Sequence, residues 1–173
     1  MTILILVLFL ITIVISIFIY LYNTYNKLNI INIKMRSANE GIEKALNKKL
    51  DLMKNLYAII KKKVEKKDYL KSFSNLKNKN LSTNELDIEL TNYLNLMKQL
   101  VEDYSKLQTK EVKKLFNDLK IVDQELTANK VFFNKNNNIL IKDLKGFNKL
   151  LGKMFHINVL NSYEIKPIDE ENG

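Results

Sequence analysis

Asp51 and Asn55 stand four positions apart, as do Lys130 and Asn134, and that spacing places each pair on one face of a helix. Lys48 and Lys49 lie just before the first pair. Ammonium, carboxylate and amide groups in this pattern suit pairing between helices: an ion pair across the interface, with asparagines fixing the register. The spacing predicts an interhelical polar seam of Lys48, Lys49, Asp51, Asn55, Lys130 and Asn134, with Asp51 approaching Lys130. A ligand or partner site built from the same residues is the alternative reading.

Catalysis would need a nucleophile, an acid–base pair or a metal set in convergent geometry. The chain has no Cys, so disulfides, thiolate metal sites and cysteine nucleophiles are excluded together. His156, the single histidine, falls at the end of the last predicted helix without metal-ligand spacing around it. It reads as a helix-terminal residue that contacts the last carbonyls. The carboxylates Glu43, Asp51, Glu111, Asp118, Asp123 and Glu125 form none of the Glu-x-x-His pairs of di-iron bundles. The expectation is a protein that is not an enzyme, with no catalytic residue, cofactor or metal.

The elements that would position the seam begin with an apolar run from Ile3 to Tyr22 that holds no charge, no Gly and no Pro. About 20 helical residues span the roughly 30 Å hydrocarbon layer of a bilayer. A cleaved signal peptide would have a basic start, a shorter apolar stretch and a small-residue cleavage site. Here no Lys or Arg precedes the run, and it leads into Tyr20, Tyr22 and Tyr25, which suit an interfacial belt. Residues 1–24 are therefore expected to be an uncleaved single-pass anchor. Lys27, Lys34 and Arg36 follow it, and the positive-inside rule then puts the C-terminal part in the cytoplasm of a cell-membrane protein.

The net charge of +9 lies mostly in residues 23–79 and 127–166. Such a surface suits anionic lipid or nucleic acid. Arg36 is the only arginine, however, and specific nucleic-acid binders favour arginine with exposed aromatics, which argues against nucleic acid. The densest cluster, Lys61 to Lys63 with Lys66 and Lys67, is about 40 residues beyond Tyr22, or roughly 60 Å along an upright helix. That is far outside a Debye length of about 8 Å, so the cluster reads as an exposed helix end. Lys and Asn exceed a quarter of the chain, a bias that AT-rich codon usage explains.

One Pro and four Gly leave little punctuation for strands and tight turns, so long helices are expected. A heptad stripe runs through Leu28, Ile31, Met35, Ala38, Ile42, Ala45, Leu52, Leu56 and Ile59, with Lys49 in one slot. Leu46, Met53 and Ile60 widen it into the face of a bundle helix. This predicts one helix from the anchor to about residue 70, then a polar loop over 72–82. Ser82 and Glu85 offer a capping box for a second helix to about 106, with Leu86, Leu90, Tyr93, Met97, Leu100 and Tyr104 on its face. Val112, Leu115, Leu119, Val122, Leu126 and Phe133 mark a third. Leu140, Leu144, Phe147, Leu151 and Met154 mark a fourth, separate or a bent continuation of the third. Beyond Ile157 the periodicity is lost, and residues 157–173 are expected to be a mobile tail.

With these elements in order, the chain resembles the LemA family of bacterial membrane-anchored helical proteins. Tyr25-Asn26-Lys27-Leu28 matches the family's Tyr-Asn-x-Leu after the anchor. Ile42 through Leu56 matches its Ile-Asp-x-x-Leu-x-Arg-Arg-x-Asp-Leu-Ile-Pro-Asn-Leu, with Lys48, Lys49 and Lys54 in place of two arginines and a proline. Tyr104 to Leu107 stands where the family has Tyr-Pro-x-Leu, and Ala128 to Asn134 resembles its segment ending in aromatic-Asn. Lysine for arginine loses bidentate pairing. The missing prolines at Ser105 and Asn148 favour a longer third helix. The resemblance implies an all-α protein: a transmembrane helix followed by an antiparallel four-helix bundle over residues 25–156, with a very long first helix. It implies no biochemical activity.

Two classes of function follow from the sequence. The first is a membrane-anchored scaffold or protein-interaction module. The alternative is a lysine-rich, membrane-tethered binder of anionic lipid or nucleic acid. The expected partners are the bilayer through residues 3–22 and a protein, with a second copy of the chain as a further candidate.

Overall fold

The computed structural model describes residues 1–64, Phe73, Leu76 and residues 81–164, and among these the chain is all-α with no strand. Most of the expected 72–82 loop, Lys66, Lys67 and residues 165–173 lie outside the described residues.

Helix α1 runs unbroken from Thr2 to Lys63. Its last turn holds Lys61, Lys62 and Lys63, which favour the negative end of the helix dipole, and the expected continuation to about residue 70 falls on 65–70, outside the described residues. Helix α2, Thr83–Asp103, starts on the expected capping box. Glu85 N–H donates to Ser82 Oγ at 3.4 Å, and Ser82 N–H donates to Glu85 Oε2 at 2.8 Å. These bonds, from the Ser82 side chain first, hold the Glu85 carboxyl below its ordinary pKa. The helix stops at Asp103, where Tyr104 turns extended and a 3-10 turn, Ser105–Leu107, follows. Helix α3, Lys110–Asp143, is the long third helix that the absent prolines favour, and α4, Phe147–Met154, is separate and short. The chain divides into two compact units, and α1 and α3 run through both.

The unit of residues 38–131, with Tyr163 and Glu164, is held by three helices. Lys49 contacts Asp87 near the start of α2, and the Lys63 ammonium donates to the Lys106 carbonyl just past its end. Contacts advancing together along both helices make α2 parallel to α1. The expected antiparallel packing of these two is therefore corrected. A short loop forces antiparallel neighbours, whereas the long connection from Lys63 to Thr83 lets α2 begin beside the middle of α1. Helix α3 runs against α1: Lys48 pairs with Glu125, while Gly41, two turns earlier on α1, lies against the Asn129 amide further along α3. The buried stripe on α1 also differs from the strict heptad. Leu46, Leu50, Met53, Leu56 and Ile60 are buried, while Leu52 and Ile59 are only half-buried. A straight α-helix drifts about 20° per heptad from a 3.5-residue repeat, which rotates the core face in this direction. Phe73 meets Tyr57 at a tilt and Tyr93 edge-on, with ring centres 5.5 and 5.4 Å away.

The unit of residues 1–37 and 132–162 buries Leu28, Ile31 and Met35 of α1 with Phe133 and Leu140 of α3. Lys27 and Asp143 pair at 2.9 Å. Gly146, with φ +56°, makes the turn into α4 in a backbone conformation that L side chains avoid. Helix α4 closes on a Schellman motif, with Ile157 N–H donating to the Gly152 carbonyl and His156 N–H to Lys153. His156 takes the left-handed position, φ +58°, and its ring Nδ1 lies 3.3 Å from the Met154 carbonyl oxygen, so it does terminate its helix. Two expectations are overturned here. Met154 is 61 % exposed instead of joining a bundle core. Residues 157–162 are fastened: buried Asn137 donates to the Leu160 carbonyl at 2.6 Å and to Ser162 Oγ at 3.3 Å, and accepts from Leu160 N–H at 3.4 Å.

Candidate functional site

The polar groups that the fold brings together form a buried charge network in the unit of residues 38–131. Lys49 occupies a core slot of α1 with its side chain 2 % exposed, so its ammonium must find acceptors inside the protein. It finds Asp123 of α3 at 2.7 Å, Asp87 of α2 at 3.4 Å and the Thr91 hydroxyl at 3.2 Å. Asp87, itself buried, is shared: its second oxygen accepts from Lys130 of α3 at 2.6 Å. Thr91 donates to the Asp87 carbonyl one turn back, which leaves its oxygen free to accept from Lys49. Two ammonium and two carboxylate groups thus tie three helices together without net charge.

The chain past α4 completes the network. The Lys130 ammonium also donates to the Glu164 carbonyl at 3.0 Å, and the Tyr163 ring lies 6.0 Å from it, within cation–π range. The Tyr163 hydroxyl donates to Asn39 Oδ1. Burial pushes the Tyr163 pKa up, a hydrogen bond with Thr83 opposes that, and the negative charge of Glu43 adds to the rise.

The seam expected from sequence is redistributed. Lys49 and Lys130 are central to it. Asp51 is not the partner of Lys130: it faces outward and pairs with Lys54 at 2.9 Å, one turn along its own helix. Asn55 is exposed, and Lys48 makes a surface pair with Glu125 at 4.0 Å. Asn134 is half-buried and lies in the other unit from Lys130. The pairing with Asp51 fails because positions 49 and 51 differ by about 200° around a helix, so both cannot face the core. The residues missed are Asp87, Thr91 and Asp123. A signal for Asp87 was present, since it heads a seven-residue series with Leu94 and Val101 that lies one position off the α2 stripe, and all three are buried.

A groove of about 780 Å³ opens beside the network, between α2 and α3. Leu94 and Val101 on one wall and Leu119 and Leu126 on the other make its apolar lining, and Lys49, Asp87 and Lys130 lie at one end. Its rim is polar, with Lys98, Lys120, Asn95 and Asn117 exposed. Chemically, the network's charges are committed to each other at hydrogen-bonding distance, while the groove offers apolar contact surrounded by amide, ammonium and carboxylate groups. This suits binding. Comparison with protein-family models, with curated proteins and with solved structures finds no match to this chain.

Proposed function

We propose that the chain is a single-pass membrane protein of LemA-like type that displays a helical bundle as a scaffold or protein-interaction module. One observation carries this reading: α1 is a single helix with two differently built parts. It is the one helix, among the described residues, long and apolar enough to cross a bilayer, and none of its most apolar window is buried. The same helix then carries the buried stripe from Leu28 to Ile60. The Thr12 and Ser16 hydroxyls within the apolar part support a lipid setting, because each bonds within the helix. Thr12 donates to the Phe9 carbonyl and Ser16 to the Thr12 carbonyl, both at 2.8 Å.

On this reading the charge network sets helix register and the groove between α2 and α3 receives the partner. The network residues spend their charge on one another, which favours binding over catalysis. Lys27, Lys34 and Arg36 support a cytoplasmic bundle. The test is photo-crosslinking in cells, with the photoreactive group at Asn95 or Asn117 on the groove rim and at Ala58 on the exposed side of α1. The reading expects one protein captured from both rim positions and absent at Ala58, with the chain retained in membranes after alkaline extraction. Release on extraction removes the anchor, and identical capture at all three positions removes the groove.

A further inference from the structure

The exposed face of α4 has a partner set by its height along α1. Asn148 Oδ1 accepts from the Tyr20 hydroxyl at 2.9 Å, and Phe155 meets Tyr25 edge-on with ring centres 4.7 Å apart. Helix α4 therefore climbs beside α1 in the same direction, from the level of Tyr20 to that of Tyr25. When Ile3 to Tyr22 fills the hydrocarbon layer, the headgroup layer beyond it, about 5–7 Å thick, covers roughly the next four or five residues of α1. Helix α4 then starts just inside the hydrocarbon boundary and ends among the headgroups.

Its composition fits that place. Leu151 and Gly152 are buried within the unit, and a side chain at Gly152 would overlap Leu144, whose Cδ2 comes within 2.5 Å of an ideal Cβ. Helix α4 is thus seated closely. The opposite side presents Leu150 and Met154, one turn apart and 69 % and 61 % exposed. Exposed Lys149 and Lys153, also one turn apart, flank this apolar pair, and exposed Lys145 stands in the preceding turn. Apolar residues beside a lysine row are the pattern of a helix lying in a membrane interface. Two apolar side chains would bind a bilayer weakly by themselves. Here α1 delivers them to the surface, so docking is intramolecular and a weak contact is enough.

We propose that Leu144–Met154 is a membrane foot, with Leu150 and Met154 bedded at the acyl boundary and Lys145, Lys149 and Lys153 on the phosphates of anionic lipid. The proposal rests on α1 spanning the bilayer, and it assigns lipid contact to a second, separate element. A foot beside the anchor fixes the rotation of α1 about its axis and resists its tilt.

The chain has no Cys, so single spin labels can be placed without background. The full chain carrying Leu150→Cys, Met154→Cys, Ile11→Cys or Asn92→Cys is reconstituted in phosphatidylcholine vesicles with or without phosphatidylglycerol. Collision with oxygen and with a water-soluble nickel chelate then gives the depth of each label. Ile11 reports the anchor, Asn92 the aqueous reference, and positions 150 and 154 the foot; both are exposed, so labelling leaves the core intact. With phosphatidylglycerol, both foot labels are expected at interfacial depth. Each Lys→Gln change at 145, 149 or 153 is expected to lower the docked-to-undocked ratio about fivefold. Foot labels as nickel-accessible as position 92, with position 11 in hydrocarbon, overturn the foot and leave the anchor standing. A water-accessible label at position 11 overturns the anchor and the foot with it. Equal depth in the two lipid compositions overturns the anionic assignment.

Discussion

Removing Asp87 should cost more stability than removing any other single carboxylate, and the geometry gives the amount. Lys130 is the group left stranded. Its side chain is 7 % exposed, and without Asp87 at 2.6 Å the partners described for it are uncharged: the Glu164 carbonyl at 3.0 Å and the Tyr163 ring at 6.0 Å. Lys49 is affected less, since its contact with Asp87 is long, 3.4 Å, and Asp123 remains at 2.7 Å. Breaking a buried pair from one side costs about 3–5 kcal/mol, mostly as desolvation of the remaining charge. Asp87→Asn keeps an acceptor oxygen and belongs at about 3 kcal/mol, whereas Asp87→Leu belongs near about 5 kcal/mol. The double change Asp87→Leu with Lys130→Met removes both charges and leaves Lys49 and Asp123 as a neutral pair. It should fall within about 1 kcal/mol of the natural protein, because an apolar replacement of a whole buried pair is commonly neutral. The assay is urea unfolding of the full chain in micelles, followed by far-ultraviolet circular dichroism and by amide exchange along α2. A loss of about 3 kcal/mol moves the midpoint by roughly 1–3 M urea. If the single losses at Asp87 and Lys130 simply add in the double variant, the pair has no coupling and the network described above is wrong.

Three further perturbations test separate parts of the fold. The Glu85 pKa is held below its ordinary value in the folded chain, so its stabilising contribution is present above about pH 4.3 and is lost as the pH falls through the folded pKa; acid should speed amide exchange in the first turn of α2, and Glu85→Gln should abolish that acid step. Asn137→Ala should release residues 157–162, costing about 2 kcal/mol through the Leu160 N–H and carbonyl left without their buried partner, read as faster exchange at Leu160 with α2 unchanged. His156→Gly should stabilise the end of α4 by up to about 1 kcal/mol, because glycine takes the left-handed position of the Schellman motif without strain; an unchanged or lower midpoint would mean that the His156 ring contributes more than its backbone conformation costs.

What could be read from sequence and what could not divide along physical lines. The apolar run, the stripe from Leu28 to Ile60, the Ser82–Glu85 box and a long third helix are local patterns of one segment, and each appears in the structure. The parallel placement of α2 is a property of three segments at once, and no periodicity within one helix encodes it. The same is true of Asp87. On its own helix it is a polar residue next to an apolar stripe, and only the lysines of two other helices make it a core residue. Composition misled in one place. The run of asparagines at 136–138 looks like codon bias, yet Asn136 and Asn137 are both buried, one bonded to the Phe132 carbonyl and the other holding the returning chain.

Lys49 shows how the hidden part could have been reached. A lysine in the slot of a heptad core is an unpaid desolvation cost unless carboxylates on neighbouring helices face it. That requirement directs the search to acids at core register, and Asp87, seven residues before Leu94, satisfies it, while Asp51, two positions from Lys49 on the same helix, cannot. The network bears on function as well. A network that is neutral only when α1, α2 and α3 are all in place penalises every other register by a stranded charge. An apolar core of the same size would tolerate sliding by a turn, and the groove walls formed by Leu94, Val101, Leu119 and Leu126 would slide with it. The charges at the end of the groove therefore hold its shape, which is what a display module needs and what a simple tether would not.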